Sequence, residues 1–140
     1  METHCELCEQ AGGEVLWQDQ ACRVVWIDEP DYPGFCRVIL KAHIKEMTDL
    51  PLDARSHLMH VVFAVELAIR ETLSPDKINL ASLGNAVPHL HWHIIPRFIN
   101  DKHFPSPIWV TPRHETPPRE FANLQQHLQA SIRRLCSNLI

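Results

Sequence analysis

The stretch Gly84-Asn85-Ala86-Val87-Pro88-His89-Leu90-His91-Trp92-His93-Ile94-Ile95-Pro96 carries three histidines at alternate positions, separated by apolar residues. In a β-strand, successive side chains point to opposite faces. His89, His91 and His93 then line one surface, neighbours roughly 7 Å apart along the chain. Leu90, Trp92 and Ile94 face the other way and can be buried under helices. Two chemistries fit such a row. Imidazoles in His-x-His spacing on a strand can hold zinc, which would make the protein a metallohydrolase. Alternatively, one neutral imidazole attacks phosphorus while its neighbours position the phosphate and move protons. A chance polar face in a chain with ten histidines is a weaker account, because the alternation is strict.

On either side of this stretch the elements alternate clearly. Lys77 to Leu83 reads as an incoming strand and Leu90 to Phe98 as the histidine strand. Asp53 to Leu73 is the strongest helix, with Leu58, Val61, Val62, Val65 and Ile69 on one face. Pro51 and Asp53 suit its start and Pro75 its end. His57 and His60 lie one turn apart on it and read more simply as partly exposed side chains than as a metal pair. Glu14 to Gln18 and Cys22 to Asp28 read as a hairpin, Glu29 to Gly34 as a turn, and Phe35 to Leu40 as a third strand. Asn100 to Thr116 is proline-rich and irregular. Arg119 to Asn138 is a last helix with Phe121, Leu124, Leu128 and Leu135 on one face. Strands joined by short turns favour an antiparallel sheet and an α+β fold. The expectation is one domain over residues 1–140, with its core in 5–110 and a C-terminal helix over 119–138.

Composition narrows the function classes. With 140 residues, 45% hydrophobic and 21% charged, the chain is globular rather than disordered, collagenous or coiled-coil. The net charge of −4 disfavours a partner that is a nucleic-acid polymer. The opening Met1-Glu2-Thr3-His4-Cys5-Glu6 has no basic region followed by an apolar run, so no secretory signal is expected. The longest stretch without acidic or basic residues, Ile78 to Pro96, contains Asn79, Gly84, Asn85 and two prolines, which argues against a membrane span. Five cysteines, an odd number, point to reduced thiols and a cytoplasmic location. Cys22, Cys36 and Cys136 sit in apolar segments and are expected in the core.

The motif and its surroundings resemble the histidine-triad (HIT) family, whose signature is His-x-His-x-His followed by two apolar residues. His89-Leu90-His91-Trp92-His93-Ile94-Ile95 matches it in full. Asn79 before a Gly84-Asn85 turn, Pro33-Gly34 leading into a strand that ends Lys41-Ala42-His43, and the acidic Asp28 agree with the family pattern. The resemblance covers residues 5 to 98. It implies a HIT-like five-stranded antiparallel sheet with two main helices, a homodimer, and nucleotide binding beside the triad. By carry-over, His91 is the nucleophile, and His93 and Asn85 contact phosphate oxygens. Asn79 is a further nucleotide-binding residue, Asp28 binds the ribose hydroxyls, and Trp26 flanks the base or, equally, packs in the core. Two departures stand out. Many members have His where this chain has Phe35, and Ser or Thr where it has Ala86; neither replacement can transfer a proton. Loss of a general acid or base costs about 10²–10⁴ in rate.

Cys5-x-x-Cys8 alone suits redox chemistry, a metal or chance. In zinc-containing relatives, galactose-1-phosphate uridylyltransferases among them, two histidines complete the site, at positions matching His43 and His89. The resemblance therefore implies structural zinc on Cys5, Cys8, His43 and His89, leaving His91 and His93 for phosphate. The implied function is a nucleotide-binding hydrolase or transferase acting on nucleotidyl phosphoramidates or dinucleoside polyphosphates through a nucleotidyl-histidine, with no organic cofactor. The alternative is a catalytically weak nucleotide-binding sensor or interaction module, which Phe35 and Ala86 favour.

Overall fold

The computed structural model describes residues 4–138. Strands β1 (Glu14–Gln18), β2 (Cys22–Trp26), β3 (Cys36–Leu40), β4 (Lys77–Ala81) and β5 (His91–Arg97) form one antiparallel sheet in the order β1-β2-β3-β5-β4. A helical turn, α1 (Glu6–Glu9), precedes β1. The main helices are α2 (Leu52–Leu73) and α3 (Leu124–Cys136). The fold is the expected α+β architecture, with a sheet of five strands and two main helices.

Alternation in the strands separates two faces. Opposite residues in β2 and β3 are Cys22 and Leu40, Val24 and Val38, and Trp26 and Cys36. These face the helices and join the main core with Leu58, Val61, Val62, Val65 and Ile69 of α2 and Leu124, Leu128 and Ile132 of α3. Burying one such aliphatic side chain is worth about 1.5–3 kcal/mol. Leu90, Trp92 and Ile94 belong to the same core, and Cys22, Cys36 and Cys136 are buried there as expected. On the opposite face, Val25 and Ile39 pack under Leu7 of α1, and Tyr32, Phe35 and Ile95 form a third cluster.

Helix α2 ends where Ser74 turns left-handed (φ 50) and Pro75 follows. Gly34, at φ +90, has no room for a Cβ, which would lie 2.8 Å from Leu73 Cδ2. This fixes how the turn before β3 meets the end of α2.

Several boundaries differ from expectation. β2 stops at Trp26, leaving Asp28 beyond the strand, and β4 stops at Ala81. β5 starts at His91 rather than Leu90: the His89 amide donates to Val87 O and the Leu90 amide to Ile44 O, so the chain is still turning there. The last helix starts at Leu124, not Arg119, because the proline-rich chain runs through Pro117-Pro118 and Asn123 is left-handed (φ 54). Its buried stripe is Leu124, Leu128, Ile132 and Cys136. Leu135 is only partly buried, and Phe121, ahead of the helix, stacks on Phe98. β3 is the central strand of the sheet, and the sheet edges are β1 and β4.

Candidate active site and metal centre

β5 delivers His91 and His93 to the face opposite the helices, 8% and 5% exposed, with ring centroids 5.0 Å apart. His91 Nδ1 lies 2.6 Å from the His89 carbonyl oxygen. The ring therefore donates through Nδ1–H, and in the neutral ring Nε2 keeps its lone pair. Arg37 Nε donates to His93 Nδ1 at 3.3 Å, which puts the His93 proton on Nε2. Burial, then the charges of Arg37 and His91, push the His93 pKa down to about 4, so this ring is a neutral donor at neutral pH. A cavity of about 340 Å³ opens onto His91, His93, Gly84, Asn85, Ala86 and Arg37. Gly84, at φ +68, makes the turn that brings Asn85 to it.

A second cavity, about 420 Å³, is lined by Asp28, Trp26, Ile27 and Gly13 and shares Arg37 with the first. Trp26 lies on the helix-facing side, opposite Cys36 in the ladder, and packs against the main core. β2 ends at Trp26, so strand alternation does not extend to Asp28, although both residues line this cavity. Asn79 shares the triad's face but sits opposite Ile95, and its Oδ1 accepts from Arg97 at 2.7 Å. It does not line the cavity of His91. Phe35 touches His93, ring centroids 5.9 Å apart.

His89 leaves this site. Its Nε2–H donates to Leu40 O at 2.6 Å, so Nδ1 presents a lone pair to Cys5 Sγ (3.4 Å), Cys8 Sγ (3.5 Å) and His43 Nδ1 (3.3 Å). Cys8 Sγ is 3.4 Å from His43 Nδ1, and the four donor atoms lie within 4.8 Å of one another. A zinc ion with N and S arms of about 2.0–2.1 and 2.3 Å spans a tetrahedron whose N–N and N–S edges are about 3.3 and 3.5 Å. The donor set fits that ion in type, number and spacing. Burial lowers the pKa of His89 and favours the neutral ring that ligation needs. His57, by contrast, donates Nε2–H to Asp19 Oδ2 at 2.6 Å, while Asp19 Oδ1 accepts from the Ala21 and Cys22 amides. That pair pins the β1–β2 turn to α2, and His60 is exposed.

Three features were not anticipated from the sequence. Arg37 enters the site from the middle of the sheet; its only signal is a cation inside the apolar run Cys36 to Leu40. Trp109, in the proline-rich segment, sets its ring edge-on to His93 at 5.1 Å. That segment is tied down by Arg97, 1% exposed, which pairs with Asp101 through Nε (2.8 Å) and Nη2 (3.0 Å) and donates to Ser106 O.

No helix among the described residues is long and apolar enough to cross a membrane. A protein named hit from Bacillus subtilis strain 168 is 24% identical, over 96% of this chain and 97% of that protein. The adenylylsulfatase HINT3 of Arabidopsis thaliana is 26% identical over 69% of this chain and 54% of its own length. The crystal structure of a histidine triad protein from Bradyrhizobium japonicum superposes with a TM-score of 0.73 at 29% identity, covering 95% of this chain and 96% of that one. The HIT domain profile matches residues 9–100, which span β1 through β5 and include His91 and His93, and the chain belongs to that family.

Proposed function

We propose that the protein is a nucleotide-binding hydrolase or transferase that passes a nucleotidyl group through His91. The observation that carries this is the hydrogen bond from His91 Nδ1–H to the His89 carbonyl, which leaves a lone pair on Nε2 of a ring that lines a cavity with His93, Asn85 and Arg37. In the first step Nε2 attacks the α-phosphorus. The N–P bond forms, the bond to the leaving group breaks, and its electron pair leaves with that group. In the second step water attacks phosphorus, the pair returns to Nε2, and a proton passes to solvent. His93 Nε2–H and the Asn85 amide hold the phosphate oxygens. Asp28, across Arg37 in the adjoining cavity, takes the ribose hydroxyls. Candidate substrates are nucleotidyl phosphoramidates and dinucleoside polyphosphates. The family membership and the adenylylsulfatase among the relatives support this chemistry.

Cys5, Cys8, His43 and His89 would hold zinc in a closed site. It supplies folding free energy and offers no open position for water. Its part is to tie α1 to the start of β5. A cytoplasmic homodimer completes the reading.

The test is His91→Ala. Turnover of adenosine phosphoramidate or diadenosine triphosphate should fall below detection with circular dichroism unchanged, and the wild type should yield a trapped phosphohistidine. A folded His91→Ala variant with unchanged turnover removes His91 as the nucleophile. A second reading, binding without turnover, is favoured by Phe35 and Ala86; binding with no trapped phosphohistidine would establish it.

A further inference from the structure

The cavity of Asp28, about 420 Å³, is also lined by two side chains that the nucleotidyl transfer does not use, Glu14 and Gln125. Glu14 opens β1 and stands opposite Trp26 in the ladder. Gln125 lies in the first turn of α3, a helix outside residues 9–100 that the HIT domain profile covers. Gln125 Nε2 donates to Glu14 Oε2 at 2.5 Å. Among the described residues no cation lies within ion-pair distance of the Glu14 carboxylate, and its Oε1 has no hydrogen-bond partner. Just ahead of Glu14 the chain presents bare backbone to the same cavity, at Gly12 and Gly13. A Cβ at Gly13 would lie 2.5 Å from Trp26 O.

Arg37 alone is shared with the cavity of His91 and His93, so the rest of this lining lies beyond it. With the phosphate at His91 and His93 and the ribose hydroxyls on Asp28, the base is the part of a nucleotide still to be placed. It is bonded to C1′, beside the 2′-hydroxyl and on the far side of the sugar from the 5′-phosphate. It therefore extends from Asp28 into the end of the cavity that holds Trp26, the glycine backbone and the Glu14–Gln125 pair. An ionised carboxylate only accepts hydrogen bonds. Its two oxygens, side by side, suit two N–H groups side by side on the ligand. Guanine alone among the common bases carries such a pair, N1–H next to the 2-amino group. Adenine and cytosine set a ring-nitrogen acceptor beside their amino group, and uracil has a carbonyl on each side of N3–H. A carboxylate repels those acceptors.

We infer that Glu14, held by Gln125 of α3, reads the edge of the bound base and selects guanine nucleotides over those of adenine. This rests on the nucleotide binding proposed above. Glu14 accepts from guanine N1–H and from the 2-amino group, and Gln125 fixes the carboxylate by its bond to Oε2.

The experiment measures binding of GMP, IMP and AMP by calorimetry, with kcat/KM for guanosine and adenosine 5′-phosphoramidate alongside. The wild type should bind GMP about 10- to 100-fold more tightly than AMP, the worth of hydrogen bonds to a charged acceptor. IMP keeps N1–H but lacks the 2-amino group, and should fall between them. Glu14→Gln, at an exposed position, should lower the GMP-to-AMP ratio about 10-fold, because one acceptor becomes a donor. Gln125→Met should lower it by a smaller factor, and an unchanged ratio there refutes the part assigned to α3. Equal affinity for GMP and AMP in the wild type, IMP as tight as GMP, or a guanine preference that survives Glu14→Gln each overturns the inference. A uniform loss on all three nucleotides would mean that Glu14 only anchors α3, and would also overturn it. The binding arms need no turnover. Guanine-selective binding with neither phosphoramidate turned over sinks the nucleotidyl transfer and upholds the base reading, whereas a protein that binds none of the three nucleotides fails both.

Discussion

Replacing Asp101 by Asn tests whether the Arg97–Asp101 pair anchors the segment that reaches His93. The Asp101 carboxylate accepts from Arg97 Nε and Nη2, from the Phe98, His103 and Phe104 amides, and from the Tyr32 hydroxyl. Either orientation of an Asn side chain sets an NH₂ group against at least two of these donors. It also removes the charge opposite Arg97, which is 1% exposed. Breaking a buried pair from one side costs about 3–5 kcal/mol, which lowers the melting temperature by about 10–20 °C in a chain of this size. In an Arg97→Met background the stranded cation is gone, so the same substitution should cost at least about 2 kcal/mol less. The acid limb gives an independent reading. Burial alone would raise the Asp101 carboxyl, but Arg97 and the backbone amides hold its pKa down at about 2. A depressed carboxyl stabilises the fold above its unfolded-state pKa of about 3.9. That contribution, about 2–3 kcal/mol, is lost as pH falls through about 2, and Asp101→Asn should abolish this loss. A single-variant cost under about 1 kcal/mol in calorimetric or denaturant unfolding, or no coupling in the double-variant cycle, would refute the reasoning.

Three further outcomes are expected. Protein purified without chelators or affinity metals should carry about one zinc per chain by elemental analysis; Cys5→Ser/Cys8→Ser should lose it together with melting temperature, and a metal-free wild type would dismiss the site. His93 is depressed to about 4, so the unfolded chain takes up its proton first. Stability from this residue is complete above about 6.5 and falls as pH drops toward about 4, and His93→Gln should flatten that limb in pH-dependent unfolding. Phe35→His sets an imidazole beside His93 and should raise phosphoramidate turnover relative to dinucleoside polyphosphates, with about 1–3 kcal/mol of stability lost from repacking a 4% exposed position; a folded variant with no gain at any pH would exclude a proton donor there.

The histidine strand was legible because alternation is a local rule. It needs no partner strand to put Leu90, Trp92 and Ile94 on one side and His91 and His93 on the other. Helix α2 was legible for the same reason at its own period. What escaped depends on pairings distant in sequence. That β3 is central follows from β5 inserting between β3 and β4, across a chain separation that includes all of α2. Only that insertion sets Arg37 opposite His93 in the ladder. Trp109 was illegible because the segment carrying it has no period, and its course is fixed by the ion pair at Arg97. Asp28 lies beyond the end of β2, so the alternation that fixes the face of Trp26 does not reach it.

His89 joins the two halves of the site. Its ring nitrogens are committed to the Leu40 carbonyl on one side and to the Cys5, Cys8 and His43 cluster on the other, while its own carbonyl accepts the proton that sets the tautomer of His91. The peptide at His89 is thus held by three sets of contacts within the last turn before β5. With zinc bound, the ring of His89 could not rotate without breaking a metal bond, and its carbonyl would stay aimed at His91 Nδ1. With the metal gone, that carbonyl would be held by the Leu40 contact and the turn alone. An alternate tautomer of His91, with the proton on Nε2 and no nucleophile, would then cost less. A structural ion with no open coordination position can in this way govern the reactivity of a side chain that it never touches.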